Sequence, residues 1–160
     1  MVTPLPRRQL RFDSLEEAVA DAENLLRSGY SQAGNWDLAQ ICEHLAQWMS
    51  FPIEGVPPLP LPMKVMSAAM RCTIGPGWVR KVLATGNWPD KVPTDKRTIP
   101  RAGGNEAEAV ERLRTAANRL QHHNGEFKPS PLFGQLDKES WLQLHRLHAA
   151  HHLGFLIPEE

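Results

Sequence analysis

Apolar positions recur every three to four residues in four stretches of the chain, a spacing that predicts helices rather than strands. The first opens at Asp13-Ser14-Leu15-Glu16. Asp13 is placed to cap free N–H groups, Glu16 takes the acidic position of a capping box, and Leu15, Val19, Ala22 and Leu26 form the stripe. The second begins near Trp36-Asp37, with Asp37 and Gln40 at capping-box spacing and Leu38, Ile41, Leu45 and Trp48 on one face. It is expected to end before Pro52, because the residue before a proline avoids helical geometry. The third restarts at Asn105 and carries Ala109, Leu113, Ala116, Ala117 and Leu120 towards His122-His123. The fourth, capped by Asp137, runs through Trp141, Leu144, His148, His152 and Phe155 to the neighbourhood of Ile157, where Pro158 stops it.

The intervening segments read differently. Residues 1–12 are a Pro- and Arg-containing lead-in, and Gly29 and Gly34 bracket a loop. Residues 55–62 (Gly-Val-Pro-Pro-Leu-Pro-Leu-Pro) form a stiff connector, with a ligand for a partner's aromatic groove as the less plain reading. Residues 63–72 predict a minor helix, with Met63, Val65, Met66, Met70 and Cys72 available for packing. Residues 75–104 are rich in Pro and Gly and too long for an ordinary loop, so they are expected to wrap over the helices, with a short helical turn near Trp78–Leu83. Residues 124–136 are turn-rich. No segment alternates long enough to predict a strand. The expectation is an all-α four-helix bundle in one domain over residues 1–160, with a long crossover connection and one or two minor helices.

Composition adds exclusions. Lys+Arg and Asp+Glu number 18 each, so the net charge is zero, which argues against a nucleic-acid partner. Lys91, Lys96, Arg97 and Arg101 are a local basic cluster, read as a solvated loop. Arg7-Arg8 is followed by acidic residues rather than an apolar run, so no export signal is expected. No apolar run is long enough for a membrane span. Two cysteines make no disulfide framework; reduced thiols and a cytoplasmic location are expected, with Cys42 filling core.

The chemistry concentrates in histidine. Six of the seven lie in the last 40 residues, among them His145, His148, His151 and His152. On a helix His152 lies about 40° from His148, His145 about 60° to the same side and His151 about 60° to the other. The i,i+4 pair His148/His152 therefore sets two imidazoles side by side on the inward face, as in helical two-histidine zinc motifs. Ala149 follows His148, so the glutamate of the zinc-protease motif is missing. A third ligand has to come from another helix. His44, between Ile41 and Trp48 on an apolar face, is the candidate; alone it reads as a hydrogen-bonded core histidine. His151 rivals His152 through i,i+3 spacing, and His145 and His151 otherwise support the ligands or face solvent. His122-His123 sits at a helix end, where the dipole favours it. Three neutral imidazoles suit zinc, nickel, copper or iron(II), and they leave a coordination position open. No general base is identified, since Glu43 points about 100° away from His44.

The segment Gly34-Asn35-Trp36-Asp37-Leu38-Ala39-Gln40-Ile41-Cys42-Glu43-His44-Leu45 resembles the second-helix signature of the DinB/YfiT-like superfamily. Pro131-Leu132-Phe133-Gly134, Trp141 and His148-Ala149-Ala150-His151-His152-Leu153-Gly154-Phe155-Leu156 resemble its last-helix signature. The lead-in Arg8-Gln9-Leu10-Arg11-Phe12-Asp13-Ser14-Leu15 is similar to one uncharacterised bacterial branch. The resemblance spans nearly the whole chain, least in 56–104. It implies a four-helix bundle with a long crossover, a metal held by His44, His148 and His152, and homodimers. It also implies relatives that include thiol-dependent S-transferases, a thiol-dependent isomerase and stress-induced proteins without known activity.

Two functions follow as expectations. The first is a metal-dependent transferase or hydrolase acting on a small-molecule substrate, with zinc or nickel (or iron) and a low-molecular-weight thiol as cofactors. The 75–104 segment, with Trp78 and Trp88, would then cover the pocket. The second is a non-catalytic metal-binding stress-response or structural bundle. A partner-binding protein using residues 55–62 is a third.

Overall fold

The computed structural model describes residues 6–89 and 96–159. Among these, six α-helices and one small sheet appear: α1 (Leu15–Ser28), β1 (Tyr30–Gln32), α2 (Leu38–Glu54), α3 (Leu61–Cys72), α4 (Gly75–Thr85), α5 (Glu106–Gln121), α6 (Lys138–Leu153) and β2 (Leu156–Pro158), with a 3-10 turn at Lys96–Thr98. The chain is mainly helical, as expected. None of the helices among the described residues is long and apolar enough to cross a membrane.

The four helices read from periodicity are present, and their stripes meet. α2 packs chiefly on α5, and α1 lies against α5 and α6. Leu15, Val19, Leu25, Leu38, Ile41, Leu45, Met49, Leu113, Leu120 and Leu153 form one core, all almost fully buried. Cys42 belongs to it as expected. Salt bridges Arg112–Glu43, Arg114–Glu23 and Arg119–Glu54 join α5 to its neighbours from the solvent side.

Several boundaries differ from expectation. Ser14 rather than Asp13 caps α1, accepting from Glu17 N–H, while Asp13 N–H donates to the Glu17 carboxylate. Leu26 is exposed and Leu25 takes the core position in the last turn. α2 does not stop before Pro52 but runs to Glu54 and ends at Gly55, φ +87°. Pro52 lacks only one N–H, and its ring is buried, so packing offsets the local cost. The Asp37/Gln40 capping box forms with both bonds.

Strands were not expected, and two short ones occur. Tyr30 pairs with Pro158, Ser31 with Ile157 and Gln32 with Leu156, antiparallel. This pairing ends α6 at Leu153, so Phe155 and Ile157 leave the helical stripe; Ala33 N–H also donates to the Phe155 carbonyl, 2.8 Å. The lead-in completes the clamp. Arg8 N–H donates to Gly154 carbonyl, and its guanidinium holds Asp21 and the Leu153 carbonyl. A Cβ on Gly154 would stand 2.7 Å from the Arg8 carbonyl and 3.0 Å from that of Ala150. Gly154→Ala is therefore expected to lower stability by about 1–3 kcal/mol through forced displacement of the lead-in, read in a urea titration; an unchanged midpoint would mean the lead-in is not held there.

The middle of the chain is more ordered than expected. α4 spans 11 residues where a short turn was predicted. A Cβ on Gly75 would meet the Leu132 carbonyl at 2.0 Å, so only glycine lets α4 start against the 131–134 turn. Gln143 Nε2–H ties α6 to the Leu83 carbonyl, 2.9 Å. α3 packs less than expected: Ser67 is its buried residue, Val65 and Met66 are exposed with Cys72, and Met63 and Met70 are half-buried.

Candidate metal centre

His44 stands on α2, one turn before Trp48, in the stripe that α2 presents to the core. It is 1% exposed. Its partners come from α6, whose start is fixed by the Asp137 cap on Ser140 N–H and whose end is fixed by the sheet and Arg8. His148, 4% exposed, and the half-buried His152 share the inward face of α6. The Nε2 atoms of His44 and His148 stand 3.2 Å apart, and those of His148 and His152 stand 3.0 Å apart. The three histidines lie close enough to share one metal ion.

The irregular segment supplies an orienting group. His44 Nδ1–H donates to the Thr98 carbonyl at 2.9 Å. That carbonyl is carried by the 3-10 turn and strapped along α2, where Gln40 donates to Pro100 and Asp37 accepts from Gly103 N–H. A carbonyl only accepts, so neutral His44 has its lone pair on Nε2, aimed at His148. His148 Nε2 carries at most one proton and cannot bridge both neighbours with it. One of the two close N···N pairs is then left without a hydrogen bond. A single cation at the centre satisfies all three lone pairs. A tetrahedral zinc with Zn–N of about 2.0–2.1 Å has N···N edges of about 3.3 Å, within a few tenths of an ångström of both spacings. An imidazole that ligates through Nε2 while Nδ1–H meets a backbone carbonyl is the usual arrangement for a metal-bound histidine.

Electrostatics favour the neutral, ligating form. Burial lowers the His44 pKa, partly opposed by the Thr98 carbonyl. Burial, then His152 and His44, push His148 well below the ordinary histidine range. Burial, then His44, His151 and Arg7, drive His152 down to about 2. Metal therefore competes with few protons at neutral pH.

Indole rings surround the triad. Trp36 stacks on His152 (5.3 Å between ring centres, 2° between planes) and meets His44 edge-on. Trp88 stacks on His148 at 4.6 Å, and Trp48 stands edgewise to it at 5.6 Å. The irregular segment thus does reach the site through Trp88, as expected; Trp78 instead stacks on Phe133. The periodicity reading named Trp48 only as a core residue and missed Trp36 and the Thr98 carbonyl. Trp48 was findable, lying four residues from His44 on the same face.

The other histidines fall elsewhere. It is His152 rather than His151 whose nitrogen joins His44 and His148; the His151 ring packs against His152 and Phe155. His145 is 3% exposed, stacks on Trp141, and has no hydrogen-bond partner for Nε2 among the described residues. Burial drives it down to about 3. His122 and His123 close on Asn118 and Glu126 carbonyls at the exposed end of α5. Glu43 pairs with Arg112 and takes no part. Lys96, Arg97 and Arg101 are exposed; Arg97 and Arg101 line a shallow groove with Arg112 and Glu43, and Lys91 lies outside the described residues.

Neither the curated proteins nor the solved structures contain a match to this chain. One family model does match, over residues 5–159, and the chain belongs to that family, described as "Protein of unknown function (DUF1569)".

Proposed function

We propose that this chain holds one divalent transition-metal ion through His44, His148 and His152, and that the ion's open coordination position acts on a small molecule. The observation that carries this reading is the convergence of three Nε2 atoms, with His44 locked by the Thr98 carbonyl so that its lone pair points inward. All-nitrogen neutral ligands favour zinc or nickel, then iron(II), over magnesium or calcium. Three protein ligands are one fewer than a structural zinc site takes, which supports an enzyme of the transferase or hydrolase type. The resemblance to DinB/YfiT-like four-helix bundles supports a low-molecular-weight thiol as co-reactant. Free Cys42 and Cys72 agree with a cytoplasmic setting, and the exposed Leu61, Val65, Met66 and Ile74 on and beside α3 agree with a homodimer.

One observation favours a second reading, a non-catalytic metal-binding stress-response or structural bundle. Among the described residues no carboxylate contacts the triad to serve as a general base. The primary test is elemental analysis of the purified chain beside His44→Ala and His148→Ala/His152→Ala. The expected result is about one zinc or nickel per parent chain and none in either variant. A parent that takes up no metal from added zinc or nickel overturns the proposal. A loaded chain without metal-dependent turnover of thiol or hydrolysable substrates favours the second reading.

A further inference from the structure

The indoles around the triad come from three separate parts of the chain: Trp36 before α2, Trp48 on α2 and Trp88 after α4. Their faces are flat and apolar. The imidazoles they enclose are neutral ligands and leave the ion's full double charge inside that wall. Such a charge, withdrawn from water, calls for an anionic partner. One atom of the wall points to the kind of anion. Trp48 Nε1–H is buried and has no acceptor among the described residues. Its ring stands 5.6 Å from that of His148 and 6.0 Å from that of His44. Buried polar groups are normally paired, and an indole N–H can only donate. The fitting partner is an acceptor oxygen on a molecule that also reaches the metal.

We propose that the ligand of the open position is a small carboxylate with a flat apolar body, one oxygen on the metal and the other accepting from Trp48 Nε1–H, its body against Trp36 and Trp88. The inference rests on the metal reading above. A carboxylate has two oxygens about 2.2 Å apart, so one anionic group serves both the metal and the indole. A thiolate or hydroxide has one ligand atom, which on the metal leaves no second oxygen for Trp48 Nε1–H.

The test uses the full chain loaded with cobalt(II), whose visible absorption reports its ligands. Benzoate, acetate, benzyl alcohol and 2-mercaptoethanol are titrated separately. Benzoate is expected to shift the spectrum at concentrations at least tenfold below acetate, and benzyl alcohol to leave it unchanged. Trp48→Phe keeps a ring but loses the donor, and should weaken benzoate roughly tenfold while cobalt stoichiometry stays the same. Trp88→Leu should narrow the ratio of benzoate to acetate affinity. Equal responses to benzoate and acetate, unchanged benzoate affinity in Trp48→Phe, or a response to 2-mercaptoethanol alone each overturn the inference while leaving the metal site standing. A chain that takes up no cobalt overturns both.

Discussion

Free zinc at a thousandfold excess over its dissociation constant is expected to stabilise the folded chain by about 4 kcal/mol, because the unfolded chain offers no assembled triad. In a chain of 160 residues that corresponds to a rise in melting temperature of about 10 °C. His148→Ala should abolish the rise. His44 and His152 still meet at 4.7 Å between ring centres, but two imidazoles are one ligand short of the triad and do not hold the ion. His151→Ala should leave the rise nearly whole, because its nitrogens are not among the three that converge. Equal zinc-induced shifts in the parent and His148→Ala would reject the triad as the site of stabilisation.

The second large effect is acid sensitivity of the metal-free chain. His145 and His152 are held neutral in the fold down to about 3 and about 2, whereas an unfolded histidine takes a proton near 6.5. Below about 6.5 the unfolded state therefore binds more protons than the folded state, and stability falls as pH falls. Each such histidine contributes a slope of about 0.7 kcal/mol per pH unit at about 6.5 that rises towards about 1.4 below it, so these two alone remove about 2 kcal/mol between pH 6.5 and 5.5. His44 and His148 act in the same direction. The loss is complete only when pH reaches the folded values, well below the window in which carboxylates stay ionised. Denaturant midpoints measured from pH 7 to 5.5 give the slope directly. His145→Leu should flatten that slope by about 0.8 kcal/mol per pH unit averaged over this window and raise stability at pH 7, since it removes a buried nitrogen without a partner among the described residues. An identical slope in that variant would mean that His145 is charged, or open to water, in the fold.

The long elements were legible because their cause is local. The stripes of α1, α2, α5 and α6 follow from helical spacing, and the Asp37 and Asp137 caps are set by residues three positions apart. The His44, His148 and His152 grouping was legible for a related reason: each imidazole occupies an apolar face where a polar ring demands an explanation. What escaped has causes distant in sequence. The β1–β2 pair joins residues more than a hundred positions apart, and neither strand alternates long enough to signal itself. Pro52 stays inside α2 because its buried ring packs, a benefit no neighbour-based rule contains. α3 has the apolar residues of a packed helix but no surface of the described fold covers Val65 or Met66. His145 shows the same limit. Its angle from His148 allowed either burial or solvent, and α6 turned it inward.

The contact between His44 and His148 bridges 104 positions of the chain. Closing so long a loop by chance is entropically costly, so an ion meets its full ligand set only after α2 and α6 have come together. It then behaves as a latch thrown after folding rather than as a nucleus that starts it. Metal in the medium should leave the refolding rate almost untouched and slow the unfolding rate. The lifetime of the folded chain, and with it resistance to proteolysis, would then track metal supply and not only temperature or pH.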